Sequence, residues 1–191
     1  MRAIAAALLC CWMLPAAAGG DLDEPRVLVA APGAGVRAVG RIVVVVAPAG
    51  EGQHLGFVIN RPSDVTLAKV FPDHAPSQKV VDPVYEGGPV RQEMIFALVQ
   101  RRESPGAGSL HLMPGLYAAY GASVVDRVIE ADPEHARFVA GLVAWQPGEL
   151  QSEVEGGLWL VLEADPALVM RKPETLWGEM LLRWQQRGNS I

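Results

Sequence analysis

Glu149 and Glu153 stand four residues apart in PGELQSEVE (147–155). An early proline, with Gly156-Gly157 just behind, marks this stretch as a helix, which puts both carboxylates on one face. Paired carboxylates do acid–base work when burial drives their pKa values apart. A solvated helix face carries the same spacing and is its commoner use. A second grouping involves arginine. Arg61 sits near the end of LGFVINRP (55–62), and Arg91 follows YEGGPV (85–90). If the turns Asn60-Arg61-Pro62 and Glu86-Gly87-Gly88-Pro89-Val90-Arg91 lie side by side, two guanidinium groups share one region with glycine amides. That arrangement suits a small anion or the carboxylate of a protein partner. The plainer alternative pairs each arginine with Asp64, Glu86 or Glu93 and merely ties loops together.

Other chemistries find less support. The histidines are His54, His74, His111 and His135, and no two fall at i, i+3 or i, i+4, so no metal site is expected. APGAGVRAVG (31–40) is glycine-rich but lacks the Gly-Lys-Ser/Thr ending of a phosphate loop. There is no Gly-x-Ser-x-Gly nucleophile elbow. No cofactor is implied. Trp145, Trp159, Trp177 and Trp184 suit core anchors better than a stacking platform.

The elements that must position these residues mix strands and helices. RVLVA (26–30) reads as a short strand. RIVVVVA (41–47) and HLGFVIN (54–60) flank PAGEGQ (48–53) and predict an antiparallel hairpin. Residues 43–46 are apolar without alternation, so this strand should be covered on both faces. Ser63 or Asp64 is placed to cap a short helix over 66–71. VYEGG (84–88) ends in a glycine turn. EMIFALV (93–99), SLHLM (109–113) and LYAAY (116–120) read as strands. Asp132-Pro133-Glu134 is a helix start, brief because FVAGLVAW (138–145) reads as strand. LWLVLE (158–163) is a strand. ETLWGEMLLRWQQR (174–187) is a helix with one apolar stripe, Leu176, Trp177, Met180, Leu181 and Trp184, expected in the core. VIEADP (128–133) echoes VLEADP (161–166), and both should mark a strand or turn leading into a capped helix. The irregular order argues for an α+β fold over a doubly wound sheet.

The 191 residues are half apolar and 19% charged, a foldable composition within one domain's usual range. The N-terminus reads MRAIAAALLCCWMLPAAAGG. Arg2, the uncharged run Ile4 to Leu14, Pro15 and Ala16–Ala18 follow the order of a secretory signal peptide over 1–18. The run falls short of the roughly 20 apolar residues of a membrane-spanning helix. An uncleaved anchor or a misassigned start, with a cytoplasmic chain, are the alternatives. Both cysteines, Cys10 and Cys11, lie inside this segment, so the cleaved chain has no disulfide and no thiolate chemistry. It then carries 15 basic residues against 21 acidic. Such an acidic chain, without a basic run, lacks the footprint of phosphate-backbone binding, and no nucleic-acid partner is expected.

Three stretches in register carry a resemblance: LGFVINRPSDVTLAKVF, VYEGGPV followed by FAL, and AWQPGELQSEVEGGLW, with ETLW near the C-terminus. They resemble the YqgE/AlgH family over about residues 26–187. The resemblance implies a single α+β domain of bifurcated, strongly coiled, largely antiparallel sheets with packed helices. The matching positions are Gly56, Asn60, Arg61, Pro62, Gly87, Gly88, Pro89, Trp145, Pro147, Gly148, Leu150, Glu153 and Trp159. Most have a structural use: Asn60 turns the chain, Pro62 ends a ladder, and the glycines supply unusual backbone angles. The pattern departs where relatives carry a Cys-Glu-His-like segment, since this chain reads VVVAPAGEG there. Val99 replaces the histidine after the Phe-x-Leu strand, and Glu149 replaces a glutamine. A thiol or histidine function proposed for relatives cannot operate here.

Three functional readings follow: an exported, periplasmic, non-enzymatic binding or interaction module; a transcriptional regulator, as the family is often labelled; and a hydrolase-like enzyme using Glu149 and Glu153. A ligand-binding reading would draw on Asn60, Arg61, Gly87, Gly88, Arg91, Trp145, Glu149 and Glu153. Export predicts that the protein recovered from its own cells begins at Gly19, which intact-mass spectrometry reads directly. An intact Met1 in the soluble cytoplasmic fraction would exclude it.

Overall fold

The β-branched runs pair into one curled sheet. A computed structural model describes residues 22–33 and 40–188, so the leader and positions 34–39 of the glycine-rich loop lie outside it. The strands are β1 (Arg26–Ala30), β2 (Val43–Gly50), β3 (Gln53–Val58), β4 (Pro62–Thr66), β5 (Pro83–Glu86), β6 (Val90–Gln100), β7 (Ser109–Met113), β8 (Leu116–Ala119), β9 (Ala136–Trp145) and β10 (Trp159–Glu163). The helices are α1 (Leu67–Val70), α2 (Ala122–Ala131), α3 (Glu149–Glu155) and α4 (Pro173–Gly188). Short 3-10 turns cover Ala75–Lys79, Pro133–His135 and Pro166–Met170. No helix among the described residues is long and apolar enough to cross a membrane.

The predicted hairpin is β2–β3, with Val44 opposite Val58 and Gly50 opposite Gln53. Its two loop residues, Glu51 and Gly52, have φ of 51° and 73°. Positive φ at both positions is what a tight turn between right-twisted strands requires. The sheet order is β10-β1-β2-β3-β9-β6-β8-β7, with β4 attached through β5 and β5 paired to β9. All pairings are antiparallel except β5–β9.

Strand β9 is where the sheet divides. Its last residues pair with β3, Val143 opposite Gly56 and Trp145 opposite His54. Farther up, Val139 and Ala140 pair with Tyr85 and Glu86 of β5. Gly141, at φ 75°, lies between the two partners. Gly87 fills the fork: its N–H donates to the Ala140 carbonyl at 2.8 Å, and its carbonyl accepts the Val58 N–H at 2.9 Å. The bifurcated α+β architecture implied by the resemblance is therefore present, and the fork is backbone packed on backbone.

Three apolar clusters flank the sheet. Val43 and Val45 of β2 face the cluster that contains Phe57, Phe96 and the buried residues of α4. Val44 and Val46 face the cluster under α3, with Trp145, Leu150 and Trp159. The strand is covered on both faces, as its unbroken valine run predicts. A third cluster packs α2 against β6 and β9.

Several local expectations need correction. Ser63 and Asp64 do not cap a helix; they lie in β4. Ser63 Oγ donates to the Val84 carbonyl at 2.6 Å and accepts the Val65 N–H at 3.1 Å. That hydroxyl ties β4 to β5 instead. Helix α2 is unforeseen, although Val124, Val125, Val128 and Ile129 form its buried stripe. Its four β-branched residues favour strand locally, and packing against β6 overrides that preference. The echoed hexapeptides part company: VIEADP closes α2, whereas VLEADP closes β10. In α4, Leu176 and Met180 are buried, but Trp184 is 41% exposed and is not a core residue. The last turns of α4 meet the sheet through charged groups instead, Arg187 pairing with Glu163 of β10.

The fork has no room for a side chain. A Cβ on Gly87 would stand 2.3 Å from the Gly141 carbonyl oxygen. Gly87→Ala is expected to lower stability by about 3 kcal/mol, the upper end for forced overpacking. Urea unfolding measures it; an unchanged midpoint would mean that the fork opens freely.

Candidate functional site

The two predicted carboxylates are each held by N–H groups at the ends of α3. Pro147-Gly148 opens α3, with Gly148 at φ 79°. Glu149 Oε2 accepts the Gln146 N–H at 2.9 Å, a reach-back that stabilises the helix entry. Glu153 Oε2 accepts two indole N–H groups, from Trp145 at 2.9 Å and Trp159 at 2.7 Å. The two rings are buried and meet edge to face, with centroids 6.5 Å apart. One carboxylate thus satisfies both polar handles of an aromatic pair and fastens α3 to the ends of β9 and β10. The geometry is that of a clasp.

The arginine turns do lie side by side, since the Glu86 N–H donates to the Arg61 carbonyl at 2.8 Å. Each guanidinium has a local partner: Arg61 lies 3.4 Å from Glu86, and Arg91 3.7 Å from Glu93. The Gly87 amide is spent on Ala140, and Gly88 packs against Leu142. Arg91 holds φ at 55°, a strained angle for a side chain, where β6 bulges between Val90 and Ile95. Asn60 is buried. Its Oδ1 accepts the Val43 N–H at 2.8 Å and its Nδ2 donates to the Arg41 carbonyl at 2.9 Å, so it pins the start of β2.

One group of possible metal ligands escaped the sequence reading. Asp132, Glu134 and His135 bring ligand atoms within 4.8 Å of one another. They share one short, largely exposed turn. His135 Nδ1 already contacts Asp132 Oδ1 at 2.6 Å, and this hydrogen bond raises the imidazole above its usual pKa.

A different region forms a cleft. It measures about 610 Å³ and opens beside the first turns of α4, with Arg41, Asn60, Glu174, Trp177 and Gly178 among its lining residues. The Arg41 guanidinium lies 5.2 Å from the Trp177 ring centroid. Trp177 is itself fixed, its Nε1 donating to the Ala30 carbonyl at 2.9 Å. Behind the cleft, Arg137 holds the entry to α4. Its Nη1 donates to the Ile59 carbonyl at 2.6 Å and its Nη2 to the Arg171 carbonyl at 2.8 Å. The guanidinium also stacks 4.3 Å from the Tyr85 ring centroid. Arg137 is only 8% exposed. Burial lowers its pKa, while the neighbouring Tyr85, Asp82 and Glu174 act to retain its charge. Burial likewise raises the Tyr85 hydroxyl, and Arg137 opposes that rise.

Of the predicted site residues, only Asn60 lines this cleft. Arg41, Arg137 and Gly178 were missed, and so was Glu174, although it opens the ETLW stretch of the resemblance. More than 130 residues separate Arg41 from Glu174 in the chain.

Fold and site together define an α+β domain with a forked sheet, an indole-carboxylate clasp and a cleft at its last helix. The AlgH-like family profile matches residues 27–187, and the chain belongs to that family. A UPF0301 protein of Streptomyces coelicolor is 34% identical over 174 residues, 86% of each chain. A UPF0301 protein of Mycobacterium tuberculosis is 31% identical over 147 residues, 75% of this chain and 73% of that one. The solution structure of AlgH from Pseudomonas aeruginosa superposes with a TM-score of 0.68 at 27% identity, covering 84% of this chain and 86% of the other. A crystal structure of DIP2367 from Corynebacterium diphtheriae gives 0.69 at 25% identity, with 85% and 87% covered.

The clasp makes a stability prediction. Glu153→Ala leaves two buried indole N–H groups without their acceptor, at about 1–3 kcal/mol each. Glu153→Gln keeps a carbonyl oxygen in place and should lose less than half as much. Thermal unfolding of the pair reads this; equal losses would show that charge, not acceptor geometry, holds the tryptophans.

Proposed function

We propose that this chain is a binding module exported to the periplasm, and that its cleft beside α4 holds a small ligand. One observation carries the reading. Arg41 and Glu174 line the same cleft, and neither has an ion-pair partner among the described residues. Opposite charges left unpaired beside a fixed aromatic wall are what a recognition site offers a polar ligand. The volume falls within the roughly 300–1,000 Å³ of small-molecule sites.

The enzymatic alternative loses its proposed acid–base pair, because Glu149 and Glu153 are each bound to local N–H groups. Residues that match the family motif do architectural work instead. The acidic balance of the chain favours small molecules or proteins over DNA as partners. The leader, read as a signal peptide, supports the compartment.

Native mass spectrometry of protein recovered from a periplasmic extract tests the reading. A discrete non-covalent adduct of small-ligand mass is expected on the wild type and lost in Gly178→Leu. Protein that never carries an adduct, or an adduct indifferent to Gly178, would overturn it.

A further inference from the structure

The charges in the cleft also specify a chemistry. The Arg41 guanidinium lies over the Trp177 ring, 5.2 Å from its centroid, and its N–H donors have no hydrogen-bond partner among the described residues. Those donors match a carboxylate in bidentate geometry. The indole beneath is locked by its bond to Ala30, so the platform is in place before a ligand arrives. Arg137 adds a second constraint. By holding the Ile59 and Arg171 carbonyls together, it fixes the end of the β3 segment against the entry to α4.

The acidic wall is equally selective. Glu174 and Glu179 both line the cleft. Glu179 Oε1 already accepts the Thr175 hydroxyl at 2.6 Å. Glu174 has no hydrogen bond or ion pair among the described residues, stands in the first turn of α4 and acts electrostatically on the buried Arg137. The cleft therefore sets one cation, Arg41, against the carboxylates of Glu174 and Glu179. A simple anion would satisfy the first and repel the second, and a simple cation would do the reverse.

Resting on the binding-module reading, we infer that the ligand is a zwitterion of short-peptide size. Its carboxylate sits on Arg41 and its ammonium on Glu174, with the intervening backbone running past Trp177 and Gly178. Gly178 contributes by what it lacks. A Cβ built there meets nothing within 4 Å, so the glycine leaves the wall of the cleft open. Glycine otherwise weakens a helix interior, so a residue there without packing cause calls for another reason.

The probe is the free dipeptide Ala-Leu, compared with its N-acetyl and C-amide forms by calorimetry and by the Trp177 indole N–H resonance. The free form should bind about tenfold tighter than either capped form, the size expected of one charge-assisted contact. Arg41→Gln should erase the preference against the amide alone. Glu174→Gln should erase the preference against the N-acetyl form alone. Gly178→Leu should abolish binding while the melting temperature holds or rises, since leucine is the better helix former. Equal binding of all three forms, or no binding of any, overturns the zwitterion. If the Gly178-dependent adduct persists in native mass spectrometry while the dipeptides fail, the binding module stands and only its ligand class falls. If neither is seen, both fall.

Discussion

The backbone of Gly87 is wedged between two strands, and the rest of the sheet is arranged around it. Its N–H reaches Ala140 of β9 and its carbonyl takes the N–H of Val58 at the end of β3. A β-strand offers one hydrogen-bonding edge to each neighbour. On the edge facing β3, β9 must serve two partners in succession, β5 and then β3. Gly141 makes the change of partner possible by taking a φ of 75° between them. The missing side chains at Gly87, Gly88 and Gly141 let the two backbones touch.

Polar groups hold what the fork leaves open. Asn60 completes the hydrogen bonds of Val43 and Arg41 just where β3 departs from β9. Arg137 satisfies two further carbonyls across the gap, on Ile59 and Arg171. A buried guanidinium is costly unless its donors are used, and here they are used to join segments far apart in the chain. Glu153 does the same at the opposite end of β9, collecting two indole N–H groups under α3. Each of these side chains ties together segments that no strand pairing joins at that point.

This division of labour bears on function. Residues that look chemical in the sequence, Glu149, Glu153 and Asn60, are committed to the frame. Arg41 and Glu174, which have no ion-pair partner among the described residues, line the cleft instead; Glu174 opens the ETLW stretch, and Arg41 lies outside the quoted stretches. They line one cleft because β2 begins, and α4 begins, beside the segments that Asn60 and Arg137 brace. The motif stretches thus supply both the frame and, through Asn60, Glu174 and Trp177, part of the cleft lining, to which Arg41 and Gly178 are added.

The sequence by itself determined the strand runs around the β2–β3 hairpin, the double-sided cover of Val43–Val46, the entry to α3 and the buried half of α4. Each rests on interactions within a few residues: turn angles, an apolar period, a proline at a helix start. It also carried the family, through three motifs in register. Tertiary structure alone decided the rest. VIEADP and VLEADP share their local preferences, yet one closes a helix and the other a strand, because α2 packs on β6 while β10 pairs with β1. Trp184 keeps the helical period of Trp177 but not its burial, which depends on what the fold packs against each turn of α4. The two carboxylates of α3 share a face, yet what they touch depends on tryptophans delivered by two different strands. Arg41 and Glu174 came to line one cleft only through the tertiary fold, which no local spacing encodes.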